Sequence, residues 1–422
     1  MRKRKNTDKK LGKSIKTFFS GIKKNFRREN YNAFTIPEVI LLLIISCIFG
    51  VVMGCILTYS KSFDMVKVTK EEAELLAAYE KIRDNYYEDL SEGDLVGSAI
   101  DGMVNSLEDP YSYYLNENDT SSFNQRLNGT YIGIGVTILH DENNENQVVE
   151  IIDGSPAKKA GIEVGDIFLS IDGNNVRNLS LSEVSEFMKG EVGDKHSFVL
   201  LRGGNEVKVN LVLAEVVLSS VSSKIIEGNN KNVGYLHIST FAANTYTQFN
   251  KNLKSLEKEK IDSLIIDVRG NPGGHLSQVQ DILSLFFDKK TVLYQIENKG
   301  KVEKVYATTK DKRKYDVVVL IDCESASASE ILASCFKENY KNATIIGTTS
   351  YGKGTVQKTY ELSNGSSLKY TAEKWLTSKG KWINGVGVEP DIEVELPEEY
   401  YNNVCDENDL QLQKALEVLT KK

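Results

Sequence analysis

From Val39 to Ser60 the chain runs 22 residues without a charge, bounded by Glu38 and Lys61. That is enough to cross a bilayer core, which takes roughly 20 helical residues. The period then changes. Thr69-Lys70-Glu71-Glu72 carries a capping-box signature. Leu75, Tyr79, Ile82 and Tyr86 follow on one helical face. Val96, Ile100, Met103 and Leu107 predict a second helix, ended by Asp109-Pro110. Single apolar stripes on two helices predict a helical segment over 61–117 that packs on its own protomer or pairs two copies.

From about Ser121 the texture becomes short alternating strands with glycine-rich turns. Ile132, Ile134 and Val136 alternate with Gly133 and Gly135, and 148–152 and 167–171 are further strands. Ser180-Leu181-Ser182-Glu183 caps a short helix, and 198–201 pairs with 207–213 around Gly203-Gly204. This predicts a compact β-rich unit over 118–215. Short β-branched runs at 233–238, 264–268, 317–321 and 344–346, several of them nearly continuous apolar, predict strands buried on both faces. Helical stretches near 243–258, 275–287 and 327–340 separate them, giving an α/β core over 216–400. The segment 401–422, with Leu410, Ala415, Leu416 and Leu419, predicts a surface helix docked on that core.

Charge adds orientation. Residues 1–30 hold twelve Lys/Arg against Asp8 and Glu29, a net +10 within a chain of −7, which leaves −17 on the rest. A body that acidic argues against nucleic-acid binding. A basic tail directly before an apolar span instead places 1–38 in the cytoplasm, 39–60 across the cell membrane once, and the rest outside. A cleaved signal peptide is the rival reading. Its basic region would be too long and its apolar stretch too long, and no small-x-small site follows. At 422 residues with 41% hydrophobic and 26% charged, the remainder is ordinary globular protein of two or three domains. Cys47 and Cys55 fall in the span, Cys323, Cys335 and Cys405 lie far apart, and no C-x-x-C occurs among the five cysteines. With four histidines, neither a disulfide scaffold nor a metal site is expected, and no cofactor is called for.

Three segments carry candidate chemistry. Ser325-Ala326-Ser327-Ala328-Ser329-Glu330 lies at a strand-to-helix turn, where free backbone N–H groups favour negative charge. A nucleophile at Ser327 would gain an oxyanion-stabilising amide from Ala328. The competing reading is an N-cap serine with small neighbours, and spacing does not choose among Ser325, Ser327 and Ser329. Lys353 lies between two glycines in Gly352-Lys353-Gly354-Thr355-Val356-Gln357. To act as a base it must lose about 3–4 kcal/mol of its preference for charge, which burial supplies; otherwise it is a solvated turn lysine. A G-x-x-x-x-G-K-[ST] order is absent. Asp267-Val268-Arg269-Gly270-Asn271-Pro272-Gly273-Gly274 presents consecutive amides, with Gly273 a second oxyanion donor or part of a plain loop. His140, His196, His237 and His275 have no evident orienting Asp motif; a histidine hydrolase would rest on His275.

In combination and order these pieces resemble the C-terminal processing peptidases, or tail-specific proteases. The segment 96–115 and Gln411-Leu412-Gln413-Lys414-Ala415-Leu416 are similar to that family too. The resemblance implies an α/β core of the ClpP/crotonase-like type and a serine endopeptidase forming an acyl-enzyme. Ser327 would be the nucleophile, Lys353 the base and Gln357 the residue orienting it, with an oxyanion hole of Gly273 and Ala328 amides. It also implies that 118–215 is a PDZ domain. Gly133-Ile134-Gly135-Val136 would receive the carboxylate of a peptide added as a β-strand. Gly154-Ser155-Pro156-Ala157 and Ala160-Gly161-Ile162 match the domain's later turn. Ser180, in place of a histidine, would favour an apolar residue upstream of the peptide's last one. Lys189 is a counterpart for the basic residue that couples PDZ occupancy to activation, or a solvated helix-end lysine. Asp322-Cys323-Glu324 departs from the family's usual Asn and Gly. The implied partners are extracytoplasmic proteins with exposed C-termini, a second copy, and an activating protein. The alternative from another class is a catalytically silent, membrane-anchored PDZ scaffold.

Overall fold

The computed structural model describes residues 34, 36–62, 69–140, 145–228, 231–309 and 313–421; the basic tail before Phe34 lies outside them. The chain divides into two units, 1–95 and 96–422. In the first, Ile36–Ser62 is a helix of 27 residues, about 40 Å long. Its stretch Ile36–Cys55 is long and apolar enough to cross a membrane. The helix Lys70–Asn85 begins on the expected capping box. Thr69 N–H donates to Glu72 Oε2 at 2.6 Å, and Glu72 N–H donates to Thr69 Oγ1 at 3.2 Å. Its apolar stripe buries no residue.

The second unit is built on a six-stranded sheet. In order its strands are Val221–Gly228, Lys231–Ile238, Ser263–Asp267, Asp316–Ile321, Ala343–Gly347 and Ile392–Glu393. The first pair is antiparallel and the rest are parallel. Alternation explains its position. Leu264, Ile266, Val317, Val319, Ile321 and Ile345 face one core, with Thr245–Lys258, Leu276–Leu283 and Ala328–Asn339. Ile265, Val318, Leu320 and Ile346 face the other way, under Leu412, Ala415 and Leu419 of the C-terminal helix Leu410–Thr420. The four apolar runs read from the sequence are therefore central strands covered on both faces.

A second, antiparallel sheet was not read from the sequence. Its long strand Ser367–Thr377 pairs with Thr355–Glu361 on one edge. On the other edge it takes Tyr113–Leu115 and then Val292–Asn298, which pairs onward with Lys301–Tyr306. This sheet presents Gln357 and Lys369 beside the loop of Lys353.

The β-rich unit contains Val136–His140, Asn146–Ile151, Ile167–Ile171, Lys195–Arg202 and Asn205–Val212 in one antiparallel sheet. Its core holds Val148, Phe168, Ile171, Val184, Phe198 and Leu200. Two expectations are corrected. Ser121, where strands were to begin, lies within a helix, Glu117–Asn128, capped by the Asn116 side chain and ended by left-handed Gly129. Ile132, Ile134 and Val136 do not share one strand. Gly135 at φ +83° breaks the run, so Thr130–Gly133 pairs with Ala214–Val217 while Val136–His140 joins the sheet. The Gly129 carbonyl accepts from Asn244 Nδ2 at 3.0 Å and from Leu218 N–H at 2.9 Å, fastening this two-stranded neck to the α/β core.

Candidate active site

The buried strand Asp316–Ile321 ends in a turn held by Asp322, whose carboxylate accepts from the N–H groups of Gly270 and Ser325 at 3.0 Å. The residue that departs from the family pattern thus ties together two loops of the site. The three serines then separate by environment. Ser325 Oγ is buried and donates to the Val268 carbonyl at 2.8 Å; Ser329 Oγ is buried and donates to the Asn271 carbonyl at 2.9 Å. Both staple the turn to the segment 268–271. Ser327, half-buried between them, lines a cleft of about 460 Å³ together with Gly273, His275, Lys353 and Gln357.

Ser327 sits at φ +55°, ψ −110°, at the head of the helix Ala328–Asn339. A β-carbon there costs on the order of 1–3 kcal/mol. Such strain is familiar where a nucleophile is held on a sharp strand-to-helix turn. The turn is over-determined. Ala326 N–H donates to the Asn271 carbonyl at 3.0 Å. Gly273 passes so close that a Cβ on it would lie 2.8 Å from the Ala326 carbonyl and 2.9 Å from Ser327 Cβ.

The two expected oxyanion donors differ in state. Among the described residues, Ala328 N–H has no protein acceptor. Gly273 N–H donates to Asn271 Oδ1 at 2.8 Å, and Asn271 is itself fixed by donation from Nδ2 to the Ile238 carbonyl at 2.8 Å. An oxyanion would have to share the Gly273 N–H with Asn271.

Glu330 is fully buried and joins the nucleophile turn to the lysine loop. Its Oε2 accepts from Ser327 N–H at 2.8 Å and Lys353 N–H at 2.9 Å; its Oε1 accepts from Ser350 Oγ at 2.6 Å and Gly352 N–H at 2.7 Å. Burial pushes its carboxyl above the usual range, and these four donors oppose that rise. The sequence showed Glu330 only as the last letter of a motif.

Both glycines beside Lys353 are required by close backbone approach. A Cβ on Gly352 would lie 3.0 Å from Val386 N, and one on Gly354 would lie 2.6 Å from Trp382 Nε1. Buried Trp375 donates from Nε1 to the Lys353 carbonyl at 2.7 Å. The ammonium rests 4.6 Å from the centre of the Tyr111 ring. Burial and then the Lys369 charge pull Lys353 from 10.5 down to about 8, against the opposing pull of Asp109 and Glu330. The shift corresponds to about 3 kcal/mol of lost preference for the charged form. Lys353 is therefore not the solvated turn lysine. No hydrogen bond joins its Nζ to Ser327 Oγ among the described residues, a looseness common before substrate binds.

Gln357 faces the same cleft, but its Nε2 donates to Thr355 Oγ1 at 3.0 Å and Thr371 Oγ1 at 3.1 Å. His275 Nε2 lies 3.1 Å from the Leu127 carbonyl, which only accepts, so that nitrogen carries a hydrogen and is not a base. Arg269 binds Asp267, Asp409 and Gln411 at 2.6–3.0 Å, which makes the Asp-x-Arg of the glycine loop an anchor for the C-terminal helix. In the β-rich unit, the Ile134 and Gly135 carbonyls accept from Ala157 N–H at 2.8 Å and Ile152 N–H at 3.0 Å. A Cβ on Gly135 would lie 2.3 Å from Ser155 Cβ, and Gly133 packs under the Tyr131 ring. Lys189 forms an exposed ion pair with Glu186 at 2.6 Å.

Comparison with known proteins shows the family and its domains. Residues 232–394 match peptidase family S41, 147–202 match a PDZ domain, and 58–119 match the N-terminal domain of the activating protease CtpB. The carboxy-terminal processing protease CtpB of Bacillus subtilis is 38% identical over 346 residues, 81% of this chain and 70% of its own. CtpA of the same organism is 34% identical over 323 residues, 76% of this chain and 68% of its own. The solved photosystem II D1 C-terminal processing protease is 26% identical, with TM-score 0.46 over 84% of this chain and 98% of its own. A solved S41 structure from Bacteroides fragilis, 16% identical with TM-score 0.50 over 80% of this chain and 91% of its own, shares the fold.

Proposed function

This chain belongs to peptidase family S41, among the carboxy-terminal processing proteases with a PDZ domain, and we propose that it cleaves peptide bonds with Ser327 and Lys353. Neutral Lys353 Nζ takes the Ser327 proton as Oγ attacks the substrate carbonyl. The Ala328 N–H, with Gly273 N–H released in part from Asn271, receives the oxyanion. The tetrahedral adduct collapses, the C–N bond breaks, and Lys353 returns the proton to the leaving amine. Water then attacks the ester carbonyl, with Lys353 again taking and returning one proton. Gln357, held on its side of the cleft by Thr355 and Thr371, would orient the lysine as it turns from Tyr111 toward Ser327.

The observation that carries this reading is the Glu330 bridge, which binds the backbones of Ser327 and Lys353 through one carboxylate oxygen at 2.8 and 2.9 Å. The loop 133–136 is the proposed seat of a substrate's terminal carboxylate. The apolar helix is the proposed membrane anchor, which leaves the catalytic part extracytoplasmic. The uncovered stripe of Lys70–Asn85 is the proposed contact with a second copy or an activating protein. Full-length enzyme and its Ser327→Ala form, given an unfolded protein with a free apolar C-terminus, test the reading. Cleavage by the native form alone supports it; equal turnover by both removes Ser327 as nucleophile, and cleavage by neither favours the silent PDZ scaffold.

A further inference from the structure

Beyond Lys353 the cleft reaches two cations, Arg126 and Lys369, that form no bond and carry no proton in the proposed reaction. The helix Glu117–Asn128 lends Phe123, Arg126 and Leu127 to its wall, positions three and four apart on one helical face. Opposite them stands Lys369, whose Cα pairs with Thr359 across the second sheet. Lys369 Nζ donates to Tyr113 Oη at 2.8 Å and sits 4.7 and 5.0 Å from the Tyr113 and Phe123 ring centres. The rings and phenol hold the ammonium in place and, among the described residues, leave two of its three N–H donors without a partner.

Neither cation forms an ion pair among the described residues. Burial, then the charge of Arg126, holds Lys369 below the usual lysine range. The carboxylate whose charge reaches both lysines, Asp109, is already engaged by Tyr111 N–H at 3.1 Å and Ser112 Oγ at 2.5 Å. Two mutually repelling cations on facing walls of a substrate cleft form a receptor for an anion. The anion that a peptide brings is a carboxylate. From Thr355 to Thr359 is about 13 Å of strand, the length of roughly four extended residues.

We infer that Arg126 and Lys369 form a carboxylate-binding subsite within about four residues of the scissile bond, taking an acidic side chain or the terminal carboxylate of the substrate. This deepens the protease reading above and rests on it. A bidentate guanidinium and a held ammonium make the site selective for a planar carboxylate over its neutral amide.

Three fluorescent peptides of one sequence test it: an internal Glu with an amidated end, Gln with an amidated end, and Gln with a free end. The Glu is moved through the positions flanking the cleaved bond. Binding is measured by anisotropy on full-length Ser327→Ala protein, so turnover does not enter. At least one acid-bearing peptide is expected to bind about tenfold or more tighter than the neutral one. Adding Arg126→Gln is expected to remove most of that advantage, and Arg126→Lys to restore part of it. Preference for the Glu peptide identifies a side chain as the source; preference for the free end identifies the terminal carboxylate. Equal binding of all three overturns the subsite. So does an advantage that survives both Arg126→Gln and Lys369→Gln, which would belong to the PDZ domain. Failure of the Ser–Lys chemistry would appear elsewhere, as cleavage by the Ser327→Ala enzyme. Arg126 is exposed on its helix, so its variants are expected to keep the native melting profile.

Discussion

Ser327 and Lys353 are joined through one acceptor: Glu330 Oε2 takes the backbone N–H of each, at 2.8 and 2.9 Å. The nucleophile's turn and the base's loop are 26 positions apart in sequence, yet a single buried carboxylate sets their spacing.

Glu330→Gln isolates that bridge. A carboxylate serves four donors here; an amide has one oxygen, so two donors would face an NH2 group. The expected cost is about 2–4 kcal/mol of stability and a fall in kcat of a hundredfold or more, since both loops shift. Thermal melting and steady-state cleavage of one peptide check it. Native kcat in the variant would show that the bridge does not set the geometry.

The pH profile follows from Lys353. Its ammonium is drawn to about 8, chiefly by burial, and the base works only when neutral. Below that value kcat/KM is expected to rise nearly tenfold per pH unit, and above about 8 to level off. Lys353→Arg is expected to be inactive across the range, because a guanidinium does not lose its proton.

Neighbouring charges move this limb in opposite senses. Lys369 lowers Lys353 and Asp109 raises it. Lys369→Gln is therefore expected to shift the rising limb to higher pH, and Asp109→Asn to lower pH. Profiles measured at fixed ionic strength check both signs.

How far this site can be read from the chain depends on what each residue does. The central strands were legible because 264–266 and 317–321 are apolar on both faces, as burial between two helical layers demands. The second sheet was not. Lys301–Tyr306 and Thr355–Glu361 mix charge with β-branched residues on half-exposed faces, and their pairing is long-range. The helix Glu117–Asn128 has few apolar positions, and only Asn116 and Gly129 at its ends marked it. Lys353 was legible through its two glycines, whose small size the packing needs. The three serines look alike in sequence because what separates them is which Oγ finds a buried carbonyl. Glu330 and Asp109 act through backbone amides and distant charge, which no local spacing records.

Arg269 anchors the C-terminal helix. It is nearly buried, and its carboxylate partners Asp267 and Asp409 are too, with side-chain exposures of 10%, 2% and 6%. Arg269→Met would leave both carboxylates without their cation, at an expected cost of about 3–5 kcal/mol. A lower melting temperature and faster amide exchange in Leu410–Thr420 check this. Unchanged exchange there would mean that the helix is held by its apolar face alone.

The most direct test of the account is the mass of the acid-quenched enzyme during its first turnovers of an activated peptide ester. One acyl group, mapped to Ser327, is expected in the native enzyme and none in Ser327→Ala. An acyl group on another residue, or full turnover by Ser327→Ala, would contradict it.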